Sequence, residues 1–182
     1  QGKDEKKLYE IDELCKIITR TLYNNGFTIV NGYGNKIGYY IASEATKLMI
    51  EENVINFRRH LQMFPFNEHL SNEDKTNHRT FMIEKTNFSI FLYGSGSKES
   101  GMFEEYKITK NNPNRIIIPI GSTGGTARII LEDVKNNLIK YPYLEKYINA
   151  LENENDPKIL SRIILSIINE NLKNSVKQNY HR

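Results

Sequence analysis

The sequence contains one cysteine, Cys15, no tryptophan and no long apolar run. A single cysteine excludes an intrachain disulfide framework and a zinc site built from cysteines, and it is typical of the reducing cytoplasm. No apolar run approaches the ~18 residues that a membrane helix needs, and no apolar signal region follows the N-terminal residues. We therefore expect a soluble, cytoplasmic protein that does not contact a membrane.

The chain also has no large excess of acidic or of basic residues. The 182 residues include 25 Lys+Arg and 22 Asp+Glu, which gives a net charge of +3. Acidic and basic residues are intermixed, whereas a duplex-binding module has a clustered basic face, so nucleic acid is not the expected partner. With 38% hydrophobic residues, the chain has the composition of one ordinary domain. We expect a single domain over residues 1–182.

Short apolar runs alternate with glycine-rich turns and with helical patterns. Strands are predicted at 27–30, 89–93 and 115–120, and helices at 5–24, 39–50, 71–85, 102–108, 127–139, 141–151 and 157–172. The stretch 51–70 is predicted to be irregular. Continuous apolar strands favour a parallel sheet with helices on both faces, that is, a Rossmann-like, doubly wound α/β fold. Such a domain usually opens with a strand, so we expect the first strand to lie upstream of Gln1, in a larger protein.

Three glycine-rich loops, at 31–38, 94–101 and 121–125, each follow a predicted strand. In open parallel sheets, ligands bind beyond the carboxyl ends of the strands, where the N-termini of the following helices favour anions. Three such loops on one edge of the sheet therefore favour a phosphate-bearing ligand. The first loop resembles the dinucleotide-binding fingerprint Gly-x-Gly-x-x-Gly, but three residues, not two, separate its second and third glycines. Taken alone, this loop fits a tight strand-to-helix turn equally well. The candidate ligand-binding residues in the loops are Gly32, Tyr33, Gly34, Asn35, Gly94, Ser95, Lys98, Gly101, Gly121, Thr123 and Gly124.

Charged side chains beside these loops add further candidates. The pair Glu104 and Glu105 could bind ribose hydroxyls; alternatively, acids in a first helical turn stabilise the helix dipole by roughly 0.3–1 kcal/mol. Arg79 could bind a phosphate with its two-pronged guanidinium group, although a solvated surface arginine is the commoner case. The four histidines have no metal-ligand spacing, so we expect no metal site. Nucleophile-elbow, Walker and paired-cysteine motifs are all missing from the sequence.

Four segments together resemble a known family. Residues 27–34, 90–94, 100–106 and 118–124 resemble the SLOG superfamily of Rossmann-like nucleotide-binding domains. Within it, they are most similar to the C-terminal ligand-sensing domain of sirtuin-type Thoeris antiviral effectors. The resemblance extends over residues 27–172, and the Gly-x-x-Glu-Glu-Tyr segment that begins at Gly101 is its most specific part.

The resemblance implies a sensor and not a catalytic domain. It implies binding of a cyclic ADP-ribose isomer, a second messenger made by a partner TIR protein, with no further cofactor. Binding would activate an upstream sirtuin-type NADase in antiphage defence. By the same likeness Arg79 meets the ligand phosphates, Glu105 holds a ribose, and Lys98 is the basic residue of the second loop.

The enzymatic alternative is a nucleoside monophosphate phosphoribohydrolase of the LOG type. Those relatives carry Pro-Gly-Gly-x-Gly-Thr before their paired acids, where this chain has Tyr-Gly-Ser-Gly-Ser at 93–97. This departure favours a binding module. A DNA-processing relative would need a basic surface for single strands, for which the sequence offers no concentrated candidate.

The predicted helix at 157–172 has a broad apolar stripe. A domain that binds a messenger must couple binding to a second arrangement of the protein, so we predict a homo-oligomer that transmits the signal. An equally good interpretation is that the stripe covers the sheet within one chain.

Overall fold

The computed structural model describes residues 2–32, 34, 36–67 and 69–180. The chain divides into two compact units, Gln1–Thr86 and Asn87–Arg182. Within the described residues, each unit contains one pair of parallel strands together with helices. The predicted α/β class is therefore confirmed, whereas the doubly wound strand order stays a prediction.

The first unit has three α-helices, one 3-10 turn (Phe57–Arg59) and two short strands in its described part. The α-helices and strands are α1 (Gly2–Asn24), β1 (Ile29–Asn31), α2 (Ile37–Glu51), β2 (Leu61–Met63) and α3 (Asn72–Glu84). Strands β1 and β2 pair in parallel, with Ile29 opposite Leu61. Both of these side chains belong to a buried apolar cluster to which α1 contributes Tyr23 and α2 contributes Ala45 and Met49. The cluster fixes the two strands against the α1–α2 pair.

Strand β2 corrects the prediction that residues 51–70 are irregular. Ile29 N–H donates to the His60 carbonyl at 2.8 Å, and Phe64 N–H donates to the Asn31 carbonyl at 2.8 Å, so the backbone bonds bracket the strand. A strand of three residues is too short for a recognisable alternation of apolar and polar side chains. Its pairing depends on β1, which is distant in sequence.

Helix α3 begins at the predicted serine cap. The Ser71 hydroxyl accepts a hydrogen bond from Asp74 N–H at 3.1 Å and donates one to the Asp74 carboxylate at 2.7 Å. Such a cap satisfies a backbone donor that the first turn otherwise leaves unpaired. The cap sets the start of the helix that carries Arg79.

The second unit continues the strand–loop–helix order. Its elements are β3 (Phe88–Leu92), α4 (Gly101–Lys110), β4 (Ile116–Ile120), α5 (Gly125–Lys135), α6 (Ile148–Asn153) and α7 (Pro157–Tyr180). Strands β3 and β4 pair in parallel and in step, with Phe88 opposite Ile116 and Leu92 opposite Ile120. Both strands therefore end at the same edge, and the loops that follow them leave the sheet side by side.

The later helices differ from their predicted bounds. Helix α5 ends at Lys135, and a 3-10 turn, Leu138–Lys140, follows where helix was predicted to continue to residue 139. The predicted helix at 141–151 is a 3-10 segment, Pro142–Tyr147, followed by α6. Proline at the first position of that segment supplies no backbone donor and starts the new turn.

Helix α7 buries most of its apolar stripe within the chain. Leu160, Ile164, Ile167 and Ile168 are buried, and Ile159 is 41% exposed. Glu170 fixes the helix to the preceding 3-10 segment by accepting hydrogen bonds from Lys146 at 2.7 Å and Tyr147 at 2.8 Å. The width of the stripe is thus explained without a second chain, and the homo-oligomer stays a prediction.

The part of the chain that the structure describes contains neither a candidate membrane-spanning helix nor a candidate metal-binding cluster. There, no helix combines the length and the apolar character needed to cross a bilayer. No three His, Cys, Asp or Glu side chains converge there on a position that could hold a metal ion.

Candidate functional site

The two glycine-rich loops of the second unit lie against each other. We call residues 93–100 the β3–α4 loop and residues 121–124 the β4–α5 loop. Tyr93 N–H donates to the Thr123 hydroxyl at 2.7 Å, and the Tyr93 carbonyl accepts a hydrogen bond from Ala127 N–H at 2.8 Å. Both backbone groups of Tyr93 are therefore bonded to the following strand–helix connection. The structure brings these two loops together, as the sequence predicted for them.

Glycine is needed where the two loops touch. Gly94 has a φ of +92°, and a Cβ there would lie 2.6 Å from the Cβ of Thr126. Gly125 has a φ of +59°, and a Cβ there would lie 2.3 Å from the Gly94 carbonyl oxygen. Real Cβ atoms do not approach other heavy atoms so closely, and positive φ disfavours residues other than glycine. Gly125 therefore permits a close contact with the backbone of Tyr93 and Gly94, and Gly94 leaves room for the Thr126 side chain.

Thr126 joins the loops through its side chain. Its hydroxyl accepts a hydrogen bond from Gly96 N–H at 3.1 Å and lies 3.2 Å from the hydroxyl of Ser100. Ser100 caps α4, because its oxygen accepts a hydrogen bond from Phe103 N–H at 3.2 Å. Thr126 itself lies in the first turn of α5. The N-termini of α4 and α5 consequently meet at these two hydroxyls.

Two converging helix N-termini form a region of positive potential. Each helix N-terminus carries about half a positive charge, so an anion is favoured there. The predicted ligand residues Gly94, Ser95 and Lys98 are exposed in this region, and Gly101 begins α4. Thr123 and Gly124 are half-buried on the other loop. The geometry suits a phosphate or a diphosphate.

Gly121 has a packing role. It is buried, and a Cβ there would lie 2.4 Å from the Cδ2 atom of Leu131. Leu131 is a fully buried residue of α5. The absence of a side chain at Gly121 thus lets α5 pack closely on the end of β4, and its ligand-binding role stays a prediction.

Acidic residues occur at both ends of the α4–α5 contact. Glu104 and Glu105 are half-buried in the first turns of α4. Farther along, Asp133 of α5 accepts hydrogen bonds from Tyr106 and from Lys110, the latter at 2.5 Å. Burial raises the pKa of Asp133, but these two hydrogen bonds and the charge of Lys98 outweigh it and hold the pKa below the ordinary aspartate value of 3.8.

In the first unit, the structure brings Gly32 and Arg79 to one aromatic ring. The guanidinium carbon of Arg79 lies 4.7 Å from the centroid of the Phe66 ring, a cation–π distance. A Cβ at Gly32 would lie 3.4 Å from the same ring and 3.3 Å from the sulfur of Met82. Gly34 is exposed. The predicted residues Tyr33 and Asn35 lie outside the described residues.

Sequence reasoning missed three residues at these positions. Thr126 and Ser100 link the helix N-termini, and Phe66 supports Arg79. A hydroxyl residue just before a helix is a recognised capping signal, and it was available for Ser100. The contacts of Thr126 and Phe66 join segments that are distant in sequence, and no local pattern indicates them.

A model of a known protein family matches most of this chain. The model of STALD, the Sir2- and TIR-associating SLOG family, matches residues 3–171. The chain belongs to this family. It is similar to the NAD(+) hydrolase ThsA of Enterococcus faecium, with 29% identity over 161 residues, which are 81% of this chain and 33% of that protein. It is also similar to the NAD(+) hydrolase ThsA of Bacillus cereus (strain MSX-D12), with 27% identity over 150 residues, 75% of this chain and 31% of that protein.

The matched region is only a part of these relatives. This chain spans about a third of the length of the curated relatives that it matches. Membership of the SLOG family thus applies to the chain itself, whereas NAD+ hydrolysis is an activity named for the longer proteins.

Proposed function

We propose that this chain is a sensor domain that binds a cyclic ADP-ribose isomer and thereby regulates a linked NAD+ hydrolase. The observation that supports it most is the meeting of the α4 and α5 N-termini, where Thr126 and Ser100 lie 3.2 Å apart. A diphosphate placed there would contact two positive helix ends at once. The family and the names of the two relatives supply the context of NAD+ hydrolysis.

The proposed ligand-binding groups belong to the second unit. Backbone N–H groups of the β3–α4 and β4–α5 loops would bind the phosphate oxygens, and Lys98 would add a positive charge from the exposed side of its loop. Glu105 would accept hydrogen bonds from ribose hydroxyls, since a carboxylate is a strong acceptor. Arg79 lies in the first unit, and its part in phosphate binding stays a separate prediction.

Regulation requires that the ligand prefer one arrangement of the protein over another. In the proposed sensor, the ligand would contact the two loops and the N-termini of α4 and α5. A shift of α4 or α5 on binding would then be transmitted to other parts of a longer protein. A homo-oligomer would provide one route for such coupling.

A thermal-shift titration with ADP-ribose and with its cyclic isomers tests this proposal. At least one cyclic isomer should raise the melting temperature of the wild-type chain, because a ligand that binds only the folded state stabilises it. Lys98→Ala should weaken this effect, and Lys107→Ala, which removes an exposed lysine of α4 outside the loops, should not. The absence of any shift with every nucleotide tried would contradict the sensor function.

An adenine-release assay separates the sensor from the phosphoribohydrolase. The chain is incubated with adenosine monophosphate, and free adenine is measured by chromatography. A binding module should release none. Turnover that is lost in Glu104→Gln or Glu105→Gln would instead support the enzymatic alternative.

A further inference from the structure

Thr126 combines complete burial with polar contacts to a neighbouring loop. Its side chain is 0% exposed, yet both hydrogen-bond partners of its hydroxyl, Gly96 N–H and the Ser100 hydroxyl, belong to the β3–α4 loop. A hydroxyl at this depth needs such partners, because burial of an unpaired polar group is costly. The contacts thus satisfy Thr126 and fix the loop at the same time.

Without such contacts, the β3–α4 loop would be costly to order. Gly94 and Gly96 both have positive φ values, +92° and +80°, and both are exposed. Glycine loses more backbone entropy on ordering than any other residue. Hydrogen bonds hold the loop on either side of Gly94 and Ser95, from Tyr93 N–H to Thr123 and from Gly96 N–H to Thr126. The glycine segment is therefore fixed at both ends by threonine hydroxyls.

We infer that Thr126 is a positioning residue for the ligand site. Since it is fully buried, it does not contact the ligand; its hydroxyl holds the β3–α4 loop in the conformation that presents the remaining loop N–H groups and the start of α4 to phosphate oxygens. This inference rests on the proposed function. A site that is ordered before binding loses less entropy on binding, so the hydroxyl raises affinity without touching the ligand.

Two substitutions separate this role from simple packing. Thr126→Val keeps the branched shape and removes the hydroxyl, whereas Thr126→Ser keeps the hydroxyl and removes a methyl group. We expect Thr126→Val to weaken binding about tenfold and Thr126→Ser to stay within about twofold of wild type, as expected when one or two hydrogen bonds cease to order the site. A packing role predicts the reverse order, because only serine leaves a gap.

The experiment combines two measurements on the 182-residue chain and its two variants. Calorimetry with ADP-ribose and its cyclic isomers gives the affinities, and amide hydrogen exchange by NMR gives the protection of Gly96 N–H. We expect protection of Gly96 N–H and wild-type affinity, within about twofold, in Thr126→Ser, and loss of this protection with about tenfold weaker binding in Thr126→Val. A thermal melt without ligand confirms that each variant is folded.

Each contrary result has a separate meaning. Rapid exchange of Gly96 N–H in wild type would overturn the anchoring contact. Equal affinities of Thr126→Val and wild type, or weaker binding by Thr126→Ser than by Thr126→Val, would overturn the positioning role while leaving the sensor function intact. If wild type binds none of the nucleotides, the proposed function fails and the positioning role fails with it.

Discussion

Replacement of Gly94 by alanine tests the close contact between the two loops. A Cβ at Gly94 would lie 2.6 Å from the Cβ of Thr126, 2.7 Å from its hydroxyl oxygen and 3.0 Å from the Met102 sulfur. Thr126 is fully buried, and close packing in a protein interior leaves a side chain little room to shift. The positive φ costs an alanine about 1–2 kcal/mol, and overpacking of a buried contact costs about 1–3 kcal/mol more. Gly94→Ala should therefore lower the free energy of unfolding by about 2–5 kcal/mol.

Gly96→Ala is the matched control on the same loop. Gly96 also has a positive φ, +80°, but the nearest atom to a Cβ there is the Gly125 Cα at 3.9 Å, an ordinary van der Waals distance. Gly96→Ala should lower the free energy of unfolding only by the cost of a positive φ for alanine, about 1–2 kcal/mol. Urea unfolding followed by circular dichroism measures both variants. Equal losses at the two positions, or a Gly94→Ala variant as stable as wild type, would refute the packing of the loops described above.

Three further predictions concern binding, pH and assembly. Arg79→Ala should weaken nucleotide binding by more than a factor of ~10, since hydrogen bonds to charged groups contribute about 1.5–3 kcal/mol. Arg58→Ala, which removes an exposed arginine, should leave binding unchanged. Normal binding by Arg79→Ala in calorimetry would contradict the phosphate-binding role of Arg79. The folded-state pKa of Asp133 is depressed, so its contribution to stability is present above the ordinary value of 3.8 and is lost as pH falls through the lower folded value. Asp133→Asn should accordingly be less stable than wild type at about pH 7, by a difference in the free energy of urea unfolding that narrows as pH falls below 3.8. Light scattering at micromolar concentration should show an oligomer, and a monomeric mass with and without ligand would refute pairing by this chain.

The strongest local patterns predicted their elements well. The run of isoleucines before Pro119 became β4, and the serine cap at Ser71 set the start of α3. These signals depend on neighbours in sequence, either through strand hydrophobicity or through a side chain that bonds the next turn. The two glycine-rich loops of the second unit were located for the same reason, because glycine marks positive φ and close approach.

The features that were missed depend on distant partners. Strand β2 has three residues, and it is a strand only because β1 pairs with it. Thr126 matters because parallel pairing of β3 and β4 places Gly96 within hydrogen-bond distance of its hydroxyl. Phe66 matters because α3 places Arg79 over its ring. The sequence contains each residue, but its partner is decided by tertiary structure.

Isothermal titration calorimetry of the wild-type chain with cyclic ADP-ribose isomers tests the central claim most directly. Linear ADP-ribose is the matched control, since it offers the same diphosphate and ribose groups without the closed ring. We predict saturable binding of at least one cyclic isomer, with weaker binding of ADP-ribose. No heat of binding with any of these nucleotides would contradict the assignment of this chain as a nucleotide sensor.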